Sequence, residues 1–338
     1  MERPHSLGNV TTLEADGDIE YAFHELWPLI ESSNCVVWIG SGLSYGLYPS
    51  WGETIKRLCK DCGVSLQIDD DALLTDDDAL LTKGADFYMA LAEDCKVADR
   101  DKYNASLQSM FGKLATNERR ALSLLIRLPA KGFVTTNYDR LLREQANLYN
   151  STAFAPRAYP YLSASDLGGP KKPIYHIHGA IAQHGPVNIV LSKSEYKEAY
   201  GSRSLLPGLL KDLLSMQDIL FVGCSLDEPA MKRLFKQVHD IIKSLSAGSQ
   251  YAARRYILIE KRFQMIKDPV SNADIRVPND AKEREEEKRF EAMGITVLRY
   301  DPDDNHTHLD EILQRLCINA GTYTSQPVKI GYGEDLPE

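Results

Sequence analysis

The chain has 338 residues and carries 39 Lys and Arg against 48 Asp and Glu, a formal charge of -9. That field opposes nonspecific attraction to nucleic acid, so no direct nucleic-acid binding is expected. Six cysteines at irregular spacing argue against an extracellular disulfide scaffold and fit a reducing cytosol. No basic start leads into an apolar segment, and no run approaches the ~20 apolar residues that cross a bilayer. A soluble, cytoplasmic protein without membrane contact is expected, large enough for one main domain and a smaller lobe.

Residues 1–16 are polar and read as a lead-in. Ala22, Phe23, Leu26, Leu29 and Ile30 recur near a 3.6 period, which predicts a helix over 17–33. Val36 to Ile39 is a short apolar run, the pattern of a strand buried on both faces, and it breaks at once into Gly40-Ser41-Gly42-Leu43-Ser44. Helical spacing follows over 52–63, 80–96, 101–115 and 118–128, interrupted by an acidic stretch at 69–78 that reads as a solvated loop. So many helices exceed an ordinary crossover, and residues 51–129 are read as an inserted helical lobe.

Alternation of strands and helices resumes at Gly132–Thr136, a strand that ends in Asn137-Tyr138-Asp139 and feeds a helix over 140–148. Pro173–Ile177 is a strand closed by His178-Gly179, and Asn188–Leu191 is another, with a helix from about Lys193. Ile219–Val222 runs into Gly223-Cys224-Ser225, with a helix over 229–242. Tyr256–Ile259 is closed by Glu260, the charged 281–293 reads as a solvated helix, and Ile295–Leu298 and 306–318 supply the last strand and helix. Continuous apolar strands separated by helices predict an α/β fold with a mostly parallel sheet covered by helices on both faces. The expected division is 1–50 with 130–320 as the α/β domain, 51–129 as the inserted lobe and 321–338 as a C-terminal tail.

In such a sheet, ligands bind beyond the carboxyl ends of the strands. Four of those ends carry polar groups: Gly40, Ser41, Gly42 and Ser44 at the first; Thr136, Asn137 and Asp139 at the second; His178 with Gly179; and Gly223, Ser225 and Asp227. Free N–H groups at the glycine turn form a cradle for a phosphate or diphosphate. Asn137 suits a sugar hydroxyl, an amide or a water, and equally an Asx cap for the helix that follows; Asp139 is the better cap. His178, at a loop edge before glycine, is a candidate base, while His176 reads as a hydrogen-bonded packing residue. Ser225 lacks the G-x-S-x-G setting of a hydrolase nucleophile, but its hydroxyl suits a phosphate or ribose. Glu260 is either an acceptor for a ribose diol or a plain solvated strand-end acid.

No metal site is expected. Cys59 and Cys62 form one C-x-x-C pair inside a predicted helix, with no second pair to complete the four ligands of a structural zinc. Cys35, Cys95, Cys224 and Cys317 read as individual buried thiols, and His306 and His308 as a helix terminus.

These motifs resemble the SIR2 (sirtuin-like) family, in particular its bacterial antiphage-defence branch. Gly40-Ser41-Gly42-Leu43-Ser44 looks like the family's G-A-G-x-S segment and Thr135–Asp139 its T-Q-N-x-D segment. His178-Gly179 is similar to its catalytic histidine-glycine pair, Gly223-Cys224-Ser225 to its G-T-S segment, and the region from Ile295 to Leu309 to the end of such domains. The resemblance spans about 20–320. It implies a Rossmann-like fold and NAD as substrate, with Asn137 and His178 as catalytic residues. It implies a diphosphate or ribose at Gly40, Ser41, Gly42 and Ser44, and the adenosine side at Ser225 and Glu260. The paired cysteines of the deacylase zinc module are missing, and Leu47–Trp51 replaces their acidic-aromatic-arginine segment. The resemblance therefore implies an NAD+ glycohydrolase (NADase) that depletes NAD during infection, over a protein deacylase, an ADP-ribosyltransferase or a nucleotide sensor without turnover. It also implies control by assembly, as a homo-oligomer and with a HerA-like hexameric ATPase as the first candidate partner.

Overall fold

A computed structural model describes residues 15–65, 84–115, 119–181, 188–245, 253–267, 273–303 and 306–323. Its strands are β1 (Cys35–Ile39), β2 (Gly132–Thr135), β3 (Phe154–Ala158), β4 (Lys172–His176), β5 (Gly179–Ala180) and β6 (Asn188–Ile189). They continue with β7 (Asp218–Val222), β8 (Arg255–Glu260), β9 (Phe263–Lys267), β10 (Asp274–Pro278) and β11 (Thr296–Tyr300). Seven of them form one sheet in the order β11-β8-β7-β1-β2-β4-β3, and every pairing in it is parallel. Helices cover both faces, as the apolar runs predicted.

The central strand shows why. All five residues of β1 are buried, and successive side chains enter opposite layers. Val36 and Trp38 join one layer, where the Trp38 ring lies 5.5 Å from Phe221 and 5.7 Å from Phe235. Cys35, Val37 and Ile39 join the other, beside the helices Ala15–Glu31 and Thr307–Asn319. The helices inserted between β1 and β2 are Trp51–Cys62, Ala85–Ala98, Arg100–Phe111 and Arg120–Arg127. Ile55, Leu58, Tyr88, Tyr103 and Leu125 from these helices pack into that same layer. Trp51–Cys62 begins with a Ser50/Glu53 capping box and ends on Gly63 in the left-handed region, φ 72°.

Several elements depart from the sequence reading. The apolar run at 188–191 gives only the short β6, which pairs antiparallel with β5 outside the main sheet. The strand β3 contains Pro156, which is tolerated because β3 is the sheet edge. The mostly exposed antiparallel pair β9 and β10 and the helix Leu206–Met216 are further departures. The lead-in before residue 15, the acidic 69–78 stretch and the tail from 324 lie outside the described residues. Among those described, no helix is long and apolar enough to cross a membrane.

Candidate active site

From β1 the chain builds β2, β4 and β3 on one side, then returns to place β7 on the other. Neighbouring strands whose connections leave in opposite directions open a crevice at their carboxyl ends. A cavity of about 350 Å³ lies there, within the usual range for small-molecule sites. Gly40, Ser41, Gly42 and Ser44 reach it from β1, and Thr136, Asn137 and Asp139 from β2. His178 reaches it from beyond β4, and Ser225 from beyond β7. Nine of the eleven sequence-predicted site residues thus line one cavity.

The other two do not. Gly223 lies behind the wall: a Cβ on Gly40 would come within 2.2 Å of the Gly223 carbonyl oxygen, and one on Gly42 within 3.0 Å. The Gly42 N–H donates to that oxygen at 3.0 Å, so the glycines let two turns pack backbone to backbone. Glu260 ends β8, two strands from β1, and its carboxylate oxygen lies 2.8 Å from His306 Nδ1; His306, rather than Glu260, lines the cavity. The structure does not bring Glu260 itself to the cavity with the other expected site residues. Two of the three non-glycine residues with positive φ among those described, Leu226 and His306 (both 55°), line this cavity, where backbone strain tends to gather.

Hydrogen bonds tie the β1 and β2 ends together. The Asn137 side-chain amide donates to the Gly40 carbonyl and to Ser44 Oγ, both at 3.1 Å. The Ser44 hydroxyl donates to Asp139 Oδ2 at 2.8 Å, and Asp139 Oδ1 accepts from the Leu141 N–H at 3.0 Å. Asp139 therefore serves the following helix, and Asn137 is left to the cavity. Its amide hydrogens are both spent, while its Oδ1 is buried and has no partner. His176 steadies it from below, its Nδ1 3.2 Å from the Asn137 carbonyl oxygen; burial lowers the imidazole pKa to about 4. Desolvation likewise raises the Asp139 carboxyl pKa, partly opposed by the Ser44 and Leu141 donors. At the first turn, the Ser41 N–H has no acceptor among the described residues and is available to an anion.

The other side of the cavity holds His178. Gly179 follows it at φ 81°, where a Cβ would fall 1.9 Å from the Asn188 carbonyl oxygen; only glycine lets β5 meet β6. The Val190 N–H donates to the His178 carbonyl at 2.9 Å, and the Tyr138 hydroxyl to the Val190 carbonyl at 2.9 Å. His178 Nε2 lies 2.7 Å from the Tyr200 hydroxyl and 3.4 Å from Glu228 Oε2. Tyr196 and Tyr200, stacked with centroids 5.7 Å apart, present edges to the imidazole. Burial drives the His178 pKa down to about 3 and pushes the Glu228 carboxyl up to about 7, the latter only partly offset by a hydrogen bond from Tyr196.

Sequence reasoning missed Glu228, Tyr196 and Tyr200. The two tyrosines carried a readable signal, since positions four apart on a helix from Lys193 share a face. A Ser192/Glu195 capping box starts that helix, and Glu195 meets Lys96 at 2.8 Å, fixing it to Ala85–Ala98. No comparable signal marked Glu228, which sits among the acids before the Pro229 helix.

All six cysteines are free and buried. Cys95 is not solitary as expected: its Sγ lies 3.6 Å from Cys59 Sγ. Among the described residues, no group of three or more His, Cys, Asp or Glu is placed to hold a metal ion.

These features define a doubly wound α/β protein with a polar, ligand-sized cavity at its switch point. Residues 131–298 match the SIR2-like domain family. The chain is a distant homologue of bacterial ThsA. It is 25% identical over 301 residues to the NAD(+) hydrolase ThsA of Bacillus cereus (strain MSX-D12), covering 87% of this chain and 56% of the relative. It is 23% identical over 310 residues to the NAD(+) hydrolase ThsA of Cytobacillus dafuensis, covering 89% and 57%. The chain thus spans little more than half the length of these relatives. A solved Sir2 homolog–NAD complex aligns with TM-score 0.37 and 12% identity, over 89% of this chain and 95% of that one.

Proposed function

We propose that the protein hydrolyses the N-glycosidic bond of NAD+, releasing nicotinamide and ADP-ribose. The observation that carries this reading is Asn137: a buried side chain locked by both amide hydrogens, with its carbonyl oxygen unpartnered, in a cavity between a glycine turn and His178. Such an oxygen suits a ribose hydroxyl or the attacking water. The diphosphate lies at the Ser41 turn, and the nicotinamide ribose near Asn137, His178 and Glu228. The transition state carries positive charge on the ribose; a carboxylate and oriented dipoles, shielded from bulk water, stabilise it. The likeness to proteins named NAD(+) hydrolases supports the same chemistry.

In this reading the protein is an antiphage effector held silent by its state of assembly, as a homo-oligomer and in company with a HerA-like hexameric ATPase. The test is NAD turnover by the full chain, alone and with such an ATPase, followed by product analysis. Free nicotinamide with ADP-ribose, lost in Asn137→Ala and His178→Ala, supports it. Release that requires an acylated peptide indicates a deacylase, and ADP-ribosylated protein a transferase. NAD binding without turnover indicates a sensor.

A further inference from the structure

We propose that Glu228 takes the proton from the attacking water and that His178 is its positioning residue. This rests on the NAD-hydrolase reading above and assigns to Glu228 the base role for which the sequence made His178 the candidate.

The titratable groups around the cavity are mostly spent. Asp139 accepts from Ser44 with one oxygen and from Leu141 N–H with the other. Asp227 pairs with Lys232 at 2.9 Å and with Arg289. His306 lies against Glu260. His178 Nε2 is engaged as well, whichever way its proton is placed. The Tyr200 hydroxyl has one hydrogen and two neighbours, His178 Nε2 at 2.7 Å and Met231 Sδ at 3.1 Å. If the hydrogen goes to His178, the Nε2 lone pair is occupied. If it goes to Met231, Nε2 must carry a proton and donate it to the phenol oxygen. Neither arrangement leaves Nε2 an open base.

Glu228 differs. Its Oε2 is buried and makes no hydrogen bond, 3.4 Å from His178 Nε2. The side chain is 18% exposed and lines the cavity that Asn137 lines. The groups facing it are His178, Tyr196, Tyr200, Tyr138, Cys224 and Asp227. None is a fixed cation, and the nearby Lys232 and Arg289 turn to Asp227. A carboxylate with an open oxygen and no cation beside it holds a proton readily. Burial pushes Glu228 up to about 7, where a base is both ionised and competent near neutral pH, while His178 at about 3 is a weak one.

The step balances. The water oxygen bonds to the anomeric carbon of the nicotinamide ribose, and the bond from that carbon to the pyridinium nitrogen breaks. Its electron pair leaves with neutral nicotinamide. The water proton passes to Glu228 and then to solvent, so NAD+ and water give nicotinamide, ADP-ribose and one proton. While ionised, the same carboxylate faces the positive charge that builds on the ribose.

The experiment compares the full chain with Glu228→Gln, Glu228→Asp and His178→Ala. Steady-state NAD hydrolysis is measured across pH, NAD affinity by calorimetry, and folding by circular dichroism. Wild-type kcat/KM should fall about tenfold per pH unit below about pH 7, as Glu228 takes up a proton. Glu228→Gln should keep NAD affinity, lose about a hundredfold or more in kcat, and lose that acid limb. Glu228→Asp should retain the limb at reduced rate, and His178→Ala should retain it in whatever rate remains. A Glu228→Gln protein within about threefold of wild-type kcat, or with an unchanged limb, overturns the assignment. So does a limb that vanishes in His178→Ala and persists in Glu228→Gln, which returns the base role to His178. Wild-type protein that binds NAD without consuming it in any assembly overturns the hydrolase reading itself.

Discussion

Replacing Ser44 with alanine cuts the hydrogen-bonded chain that runs from Leu141 through Asp139 and Asn137 to Gly40. The lost hydroxyl donates to Asp139 Oδ2 at 2.8 Å and accepts from the Asn137 amide at 3.1 Å. A bond to a carboxylate contributes about 1.5–3 kcal/mol and a neutral one about 1 kcal/mol, so the expected loss is about 2–4 kcal/mol. That is a large share of the roughly 5–15 kcal/mol that holds a domain together. The loss should also depend on pH. Burial raises the Asp139 pKa and Ser44 opposes that rise. A carboxyl whose folded pKa is raised supports the fold while protonated, and that support is lost as pH rises through the folded pKa. Removing Ser44 lifts the pKa further and prolongs the decline, so the deficit should be larger near neutral pH than at an acid pH where Asp139 is protonated in both proteins. Urea unfolding of both proteins at the two pH values measures it. Turnover should also fall, by about ten- to a hundredfold, because the Asn137 side-chain amide keeps only its Gly40 anchor. A deficit below about 0.5 kcal/mol, or one equal at both pH values, would refute the reasoning.

Gly179→Ala should destabilise by about 3 kcal/mol or more, since it joins a forbidden φ to a backbone clash, and should displace His178. Thermal unfolding within about 1 kcal/mol of wild type would contradict this. Ser41→Asp, at an exposed turn residue, should weaken NAD binding about tenfold or more by charge repulsion while leaving stability within about 0.5 kcal/mol. Unchanged affinity in calorimetry would put the diphosphate elsewhere. Ser41 is a cleaner probe than Gly42, where any side chain presses on the Gly223 backbone. Glu260→Gln should leave NAD affinity within about twofold, because the carboxylate stands behind His306; a larger loss would restore it to the ribose.

What the sequence disclosed was governed by whether a residue's role is local. The apolar run of β1 and its glycine turn are local, and so are the polar ends of β2, β4 and β7. Parallel-sheet logic was enough to bring them together. The choice between cap and ligand for Asn137 was not local: Asp139 takes the Leu141 N–H, while the Asn137 amide spans to Gly40 and Ser44. Gly223 carries the same glycine signal as Gly40, yet the two serve each other's packing, which only the β1–β7 adjacency reveals. Glu260 reads as a ligand because it ends a strand, and strand order sets that strand two places from β1. Glu228 reads as an ordinary acid before a helix. Its meaning comes from Tyr196 and His178, which arrive from other elements. The short β5–β6 ribbon and the β3 edge, with its proline, lack the length or alternation that marks a strand.

The most direct test follows NAD by proton NMR in the presence of the purified full chain, alone and assembled with a HerA-like ATPase, with no peptide added. The expected result is NAD loss matched by equimolar nicotinamide and free ADP-ribose, abolished in Asn137→Ala. NAD that persists in both states, or nicotinamide that appears only with an acylated peptide, would contradict the hydrolase reading.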